Sequence, residues 1–86
     1  MVCGYVLVSV EPTRELEIYG KLLKLKGIQE VCPVLGAIDF IVKVKLETQE
    51  ELANLVIWHI RKIQGIINTN TFIEDEFMKN LQELAD

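Results

Sequence analysis

The chain has 86 residues, room for one domain rather than two. Half of its residues are hydrophobic and 7% aromatic, a globular rather than a disordered composition, and no apolar run approaches the roughly 20 residues that span a bilayer. The net charge of −4 argues against direct DNA binding, because nucleic-acid affinity rests on a basic face that displaces counterions from phosphates.

The β-branched, apolar residues 3–10 predict a first strand, and the start of the chain lacks the basic and cleavable features of a signal peptide. Glu11-Pro12-Thr13 breaks this strand, and Pro12 suits the start of a helix over about 13–26. Leu16, Ile18, Tyr19, Leu22, Leu23 and Leu25 recur there at helical spacing, and Gly27 ends the helix. A second strand is expected over 28–35, at a sheet edge because Pro33 has no N–H to give a ladder. Gly36-Ala37 turns the chain into a third strand over about 38–47. Phe40, Val42, Val44 and Leu46 share one of its faces; Ile41, Lys43 and Lys45 share the other. Thr48 and Glu51 form a capping box that opens a second helix, with Leu52, Leu55, Val56, Ile60 and Ile63 inward and Gly65 at its close. A fourth strand is expected over 66–74. A last amphipathic helix over about 75–85 carries Phe77, Leu81 and Leu84 on one stripe.

Leu22-x-x-Leu25-x-Gly27-Ile28 returns 38 residues later as Ile60-x-x-Ile63-x-Gly65-Ile66. Two such copies, each a helix end leading into a strand, predict two interlocked βαβ halves: an α+β, ferredoxin-like βαββαβ plait with an antiparallel sheet of order 4-1-3-2. Residues 1–74 form that domain and residues 75–86 a helical extension. In the first strand Val6, Val8 and Val10 face one side and Tyr5 and Leu7 the other. Two helices cover only one face of a four-stranded sheet, so the second apolar face calls for a second copy packed sheet to sheet, the alternative being the C-terminal helix folded back over it.

Catalytic signals are weak. His59 is the one histidine and has no nucleophile near it in sequence, and Glu74-Asp75-Glu76 is an ordinary acidic helix start. Cys3 and Cys32 have no metal-ligand spacing, so no zinc is expected; they read as buried thiols on non-adjacent strands, too far apart to pair. Free thiols and no signal segment give the expectation of a cytoplasmic protein. Asp39 and the pair Thr69 and Thr71, which share one strand face, are the more suggestive group: a carboxylate suits an α-ammonium, and hydroxyls suit an α-carboxylate.

The strand Cys3–Val10, the two helix-end repeats, Gly36-x-x-Asp39 running into Phe40-Ile41-Val42-Lys43-Val44, and Thr69-x-Thr71 together resemble the RAM domain, the effector-sensing half of the leucine-responsive (Lrp/AsnC) transcription regulators. The likeness covers about residues 3–74, and it implies a stand-alone RAM protein without a winged-helix half. It implies dimers packed face to face by their sheets, assembled into octameric or decameric rings. It also implies a small effector, usually an amino acid, held between dimers by Gly36, Asp39, Thr69 and Thr71, with Ile38 and Asn70 beside them. Ile38 stands where the family often has an aromatic residue, and the acidic C-terminal helix is an addition. The expectation is a non-enzymatic amino-acid-binding module without cofactor, metal, DNA or membrane as partner, which modulates full-length Lrp/AsnC regulators through mixed oligomers. The competing readings are a purely structural oligomerisation partner and a small dimeric plait enzyme of monooxygenase type; the apolar inner helix faces leave such an enzyme no polar pocket.

Overall fold

The computed structural model describes residues 1–82. Four strands, β1 (Val2–Val10), β2 (Ile28–Pro33), β3 (Phe40–Leu46) and β4 (Ile66–Ile73), form one antiparallel sheet of order β2-β3-β1-β4. Helix α1 (Glu15–Leu23) links β1 to β2. Helix α2 (Gln49–Asn54) continues without a break into a π-helical stretch, Leu55–Ile60, and leads to β4. A short α3 (Glu76–Asn80) comes last. This is the ferredoxin-like plait expected from the repeat, with the proline-bearing β2 at one edge. Among the described residues no helix is long and apolar enough to cross a membrane.

The core lies between the two helices and one face of the sheet. Val6, Val8 and Val10 of β1 and Phe40, Val42 and Val44 of β3 meet Ile18 and Leu22 of α1 and Leu52, Leu55, Val56 and Ile60 of the second helix. Each fully buried side chain of this size contributes about 1.5–3 kcal/mol by leaving water. Leu16 and Leu23 share the helical spacing but face solvent, with Leu16 83% exposed. Thr13 is the reason α1 begins at Glu15. Its φ of 75° lies outside the helical region, so the turn through Pro12 and Thr13 precedes the helix. Thr48 caps the second helix as expected, its Oγ1 accepting from the Glu51 N–H at 3.1 Å.

The two repeat units match in their hydrogen bonds as well as in sequence. The Leu25 N–H donates to Leu22 O at 3.2 Å, and the Ile63 N–H to Ile60 O at 3.1 Å. Ile28 then donates to Leu25 O at 3.4 Å, and Ile66 to Ile63 O at 3.3 Å. These short-range bonds tighten the last turn and end the helices at Leu23 and Ile60, before the expected 26 and before Ile63. Gly27 (φ 95°) and Gly65 (φ 102°) then redirect the chain into a strand. At Gly65 a Cβ would also stand 2.9 Å from Ile18 Cδ1, so conformation and space both require glycine there.

The other face of the sheet is open. It carries Tyr5 and Leu7 of β1, Ile41, Lys43 and Lys45 of β3, Asn70 and Phe72 of β4, and Cys32 of β2. Phe72 is 52% exposed. The expectation that both cysteines are buried fails here: Cys32 is exposed and Cys3 half-buried, because each points to the face without helices. They lie on β2 and β1 with β3 between them, and neither is paired.

Helix α3 does not fold back to cover that face. Its N-cap is Asp75, whose Oδ1 accepts from the Met78 N–H at 3.0 Å, and none of its residues is buried. Phe77 is 73% exposed; Leu84, placed on the same stripe by the sequence reading, lies outside the described residues. Glu74 ties α3 to the sheet margin, accepting from Lys79 Nζ at 3.1 Å and from the Tyr5 hydroxyl at 3.1 Å. These two donors, Lys79 first, hold the Glu74 carboxyl below its ordinary range.

Candidate functional site

The sequence-predicted residues fall into two groups on either side of β1. Gly36, Ile38 and Asp39 form the turn between β2 and β3. The Gly36 backbone has φ 147°, a conformation open to glycine and strained for other residues, although a Cβ there would meet no atom within 4 Å. Asp39 is well anchored. Its N–H donates to Val8 O at 2.9 Å, its carbonyl accepts from the Val34 N–H at 2.9 Å, and its Oδ2 accepts from the Val10 N–H at 2.8 Å. The carboxylate thus caps the end of β1, a structural duty that spacing in sequence does not reveal.

Thr69, Asn70 and Thr71 lie on β4, the opposite edge from β2. Thr69 stands across from Val8 and Thr71 across from Val6. Cross-strand partners share a face, so both hydroxyls point to the helix side of the sheet. Asn70 pairs with Leu7 and points to the open face, away from the threonines. Val8 is therefore the hinge of the arrangement, bonded to Asp39 on one flank and registered with Thr69 on the other. Two strand spacings, about 10 Å, separate these flanks.

The threonines line an open groove of about 380 Å³ with Val56, Arg61, Ile66, Ile67 and Asn68. Gly36, Ile38 and Asp39 are not among its walls. A single chain therefore places the two groups at the same end of the sheet without enclosing a ligand between them. Arg61 is the residue the sequence reading missed. Its position carried no signal: the buried residues Leu52, Leu55, Val56 and Ile60 run 0, 3, 4, 8, a spacing that a regular helix also gives. His59 is exposed; it lines a separate groove of about 450 Å³ with Lys24, Lys26, Glu51 and Asn54.

With this fold and groove, the chain matches the Lrp/AsnC ligand binding domain over residues 3–83 and belongs to that family. It is 30% identical over 83 residues to the HTH-type transcriptional regulator FL11 of Pyrococcus furiosus, covering 96% of this chain and 54% of that protein. It thus spans about half the length of the curated relatives it matches. Among solved structures, FFRP-DM1 is 34% identical with a TM-score of 0.83, and the match covers 86% of this chain and 99% of that one. Escherichia coli AsnC, at 22% identity and TM-score 0.80, shares the fold over 85% of this chain and 50% of its own. The chain is a regulatory ligand-binding domain of the type found in transcription regulators.

Proposed function

We propose that this protein is a non-enzymatic amino-acid-binding module that acts as an oligomer and modulates full-length Lrp/AsnC regulators by joining them in mixed assemblies. The observation that carries the reading is the placement of Thr69 and Thr71 in an outward-facing polar groove at the same end of the sheet as Asp39. In this reading Asp39 takes the α-ammonium with the oxygen not engaged by Val10, and the Thr69 and Thr71 hydroxyls take the α-carboxylate. Gly36 and Ile38 form the wall beside Asp39, and Asn70 belongs to the surface next to the cleft. A neighbouring subunit closes the gap of about two strand spacings that one chain leaves open.

The open sheet face supports the oligomer. Half-buried Tyr5, Leu7 and Ile41 and exposed Phe72 present an apolar surface with a polar margin, and two such faces packed together bury it. Such dimers then build an octameric or decameric ring. Residues 1–74 are taken as the folding unit, with residues 75–86 as an extension at the rim of the assembly.

Calorimetry with the twenty L-amino acids tests the ligand, and light scattering after gel filtration tests the assembly. Binding of at least one amino acid, weakened in Asp39→Ala, is the expected result. Absence of any heat at millimolar ligand, or a monomer at all concentrations, overturns the corresponding part. Asp39→Asn separates the two duties of that residue, since an amide oxygen still accepts from the Val10 N–H but carries no charge for an ammonium.

A further inference from the structure

Over Leu55–Ile60 the second helix winds as a π-helix, and the Arg61 N–H donates to Val56 O, five residues back, at 2.9 Å. In an α-helix five residues turn through roughly 500°, which leaves the sixth residue about 140° round from the first. A turn closed by i→i+5 bonds winds the same five residues into little more than one revolution and stacks the two ends. Val56 and Arg61 accordingly line the same groove, the one that holds Asn68, Thr69 and Thr71. The extra residue costs regular helix geometry and leaves the core intact: Leu55, Val56 and Ile60 all remain buried. Its visible consequence is the position of one guanidinium.

Arg61 makes no ion pair among the described residues. The side chains on the groove's face supply one full positive charge and two hydroxyls, and no carboxylate lines it. A planar guanidinium gives a carboxylate two parallel N–H donors, and hydroxyls satisfy the remaining lone pairs. The hydroxyls alone offer no charge to offset the desolvation of an anion.

We infer that Arg61, turned toward β4 by the π-helical stretch, is the carboxylate-recognising residue of this groove, and that its ligands are small molecules with a free carboxylate. The inference rests on the reading of this groove as the ligand site and changes its internal roles. Thr69 and Thr71 orient the carboxylate, and Arg61 supplies the charge.

The test uses NMR of the full chain with sodium propionate as a bare carboxylate probe, followed by calorimetry. Propionate should shift the backbone amides of Thr69 and Thr71 and the Arg61 Nε–H in the wild type, and should leave the threonine amides unmoved in Arg61→Gln. Arg61→Lys should retain part of the response. Any L-amino acid that binds should lose about 10- to 100-fold in affinity in Arg61→Gln, and as much when its own α-carboxamide replaces it. Arg61→Gln should melt with the wild type, since Arg61 is exposed. Failure of propionate to shift the groove amides overturns the inference, as does equal amino-acid affinity in wild type and Arg61→Gln. Propionate bound at Arg61 with no amino acid bound by the chain upholds Arg61 and overturns the amino-acid reading instead.

Discussion

The two halves of the molecule share a frame and differ where a ligand would meet it. Thirty-eight residues apart, Leu22 and Ile60 are both fully buried, Leu25 and Ile63 make the same tightening bonds, and Gly27 and Gly65 make the same turn. Beyond those turns the halves diverge. Val31 of β2 is buried under α1, whereas Thr69, its counterpart on β4, is only half-buried in a groove. The counterpart of Arg61 is Leu23, an exposed residue at the end of a regular helix. The shared features are those a plait needs to fold; at the corresponding positions the second half alone has an extra helical residue, a guanidinium and a hydroxyl.

The comparison breaks first if its shared part is unequal. Leu22→Ala and Ile60→Ala should each cost about 2–5 kcal/mol in thermal or denaturant unfolding, because each empties a fully buried site. Gly65→Ala should cost about 1–3 kcal/mol through its backbone and its approach to Ile18, and more than Gly36→Ala, where the added methyl meets open space. Deleting Trp58 sharpens the other side. One residue fewer lets the stretch wind as an α-helix with its buried face kept, so the fold should survive with its melting temperature little changed while Arg61 turns away from β4 and carboxylate shifts at Thr69 and Thr71 vanish. Asp39→Asn should lose amino-acid affinity at nearly unchanged stability, and Asp39→Ala should in addition cost about 1–3 kcal/mol for the unpaired Val10 N–H.

The smallest effect belongs to α3. The Glu74 carboxyl is held below its ordinary value of 4.5 by Lys79 and Tyr5. A depressed pKa in the folded state means that this clasp contributes above that ordinary value and is lost as pH falls through the lowered one. Acidification below about pH 4.5 should therefore loosen α3 before it unfolds the core, read as faster amide exchange at Met78 and Lys79, and Glu74→Gln should reproduce that loosening at neutral pH.

Local signals made much of this readable from sequence. Thr48 and Glu51 are three residues apart and cap the helix as such pairs do, and Pro33 alone marks its strand as an edge. Non-local events were hidden. The Val10 N–H finds Asp39 across 29 residues, so the same carboxylate read as a ligand group also fixes a strand end. The start of α1 depended on one left-handed residue, Thr13, that no propensity announces. The exposure of Cys32 came from which face the helices chose, which alternation along a strand leaves undecided. Arg61 was missed because an extra residue at Leu55–Ile60 rotates only the positions C-terminal to it, and a helical face drawn with constant pitch absorbs the error.

The bond from Val10 to Asp39 joins two places of different purpose. Asp39 sits at the end of the molecule read as the ligand cleft, and β1 carries Tyr5 and Leu7 at the middle of the open face. In the proposed reading the ammonium takes the oxygen that Val10 leaves free, so the ligand and the strand's own N–H draw on one carboxylate. Any coupling of the proposed effector to the proposed assembly through this acceptor acts in both directions by the same amount. A protein that senses a metabolite through this turn would also report, in its affinity for that metabolite, whom it is paired with.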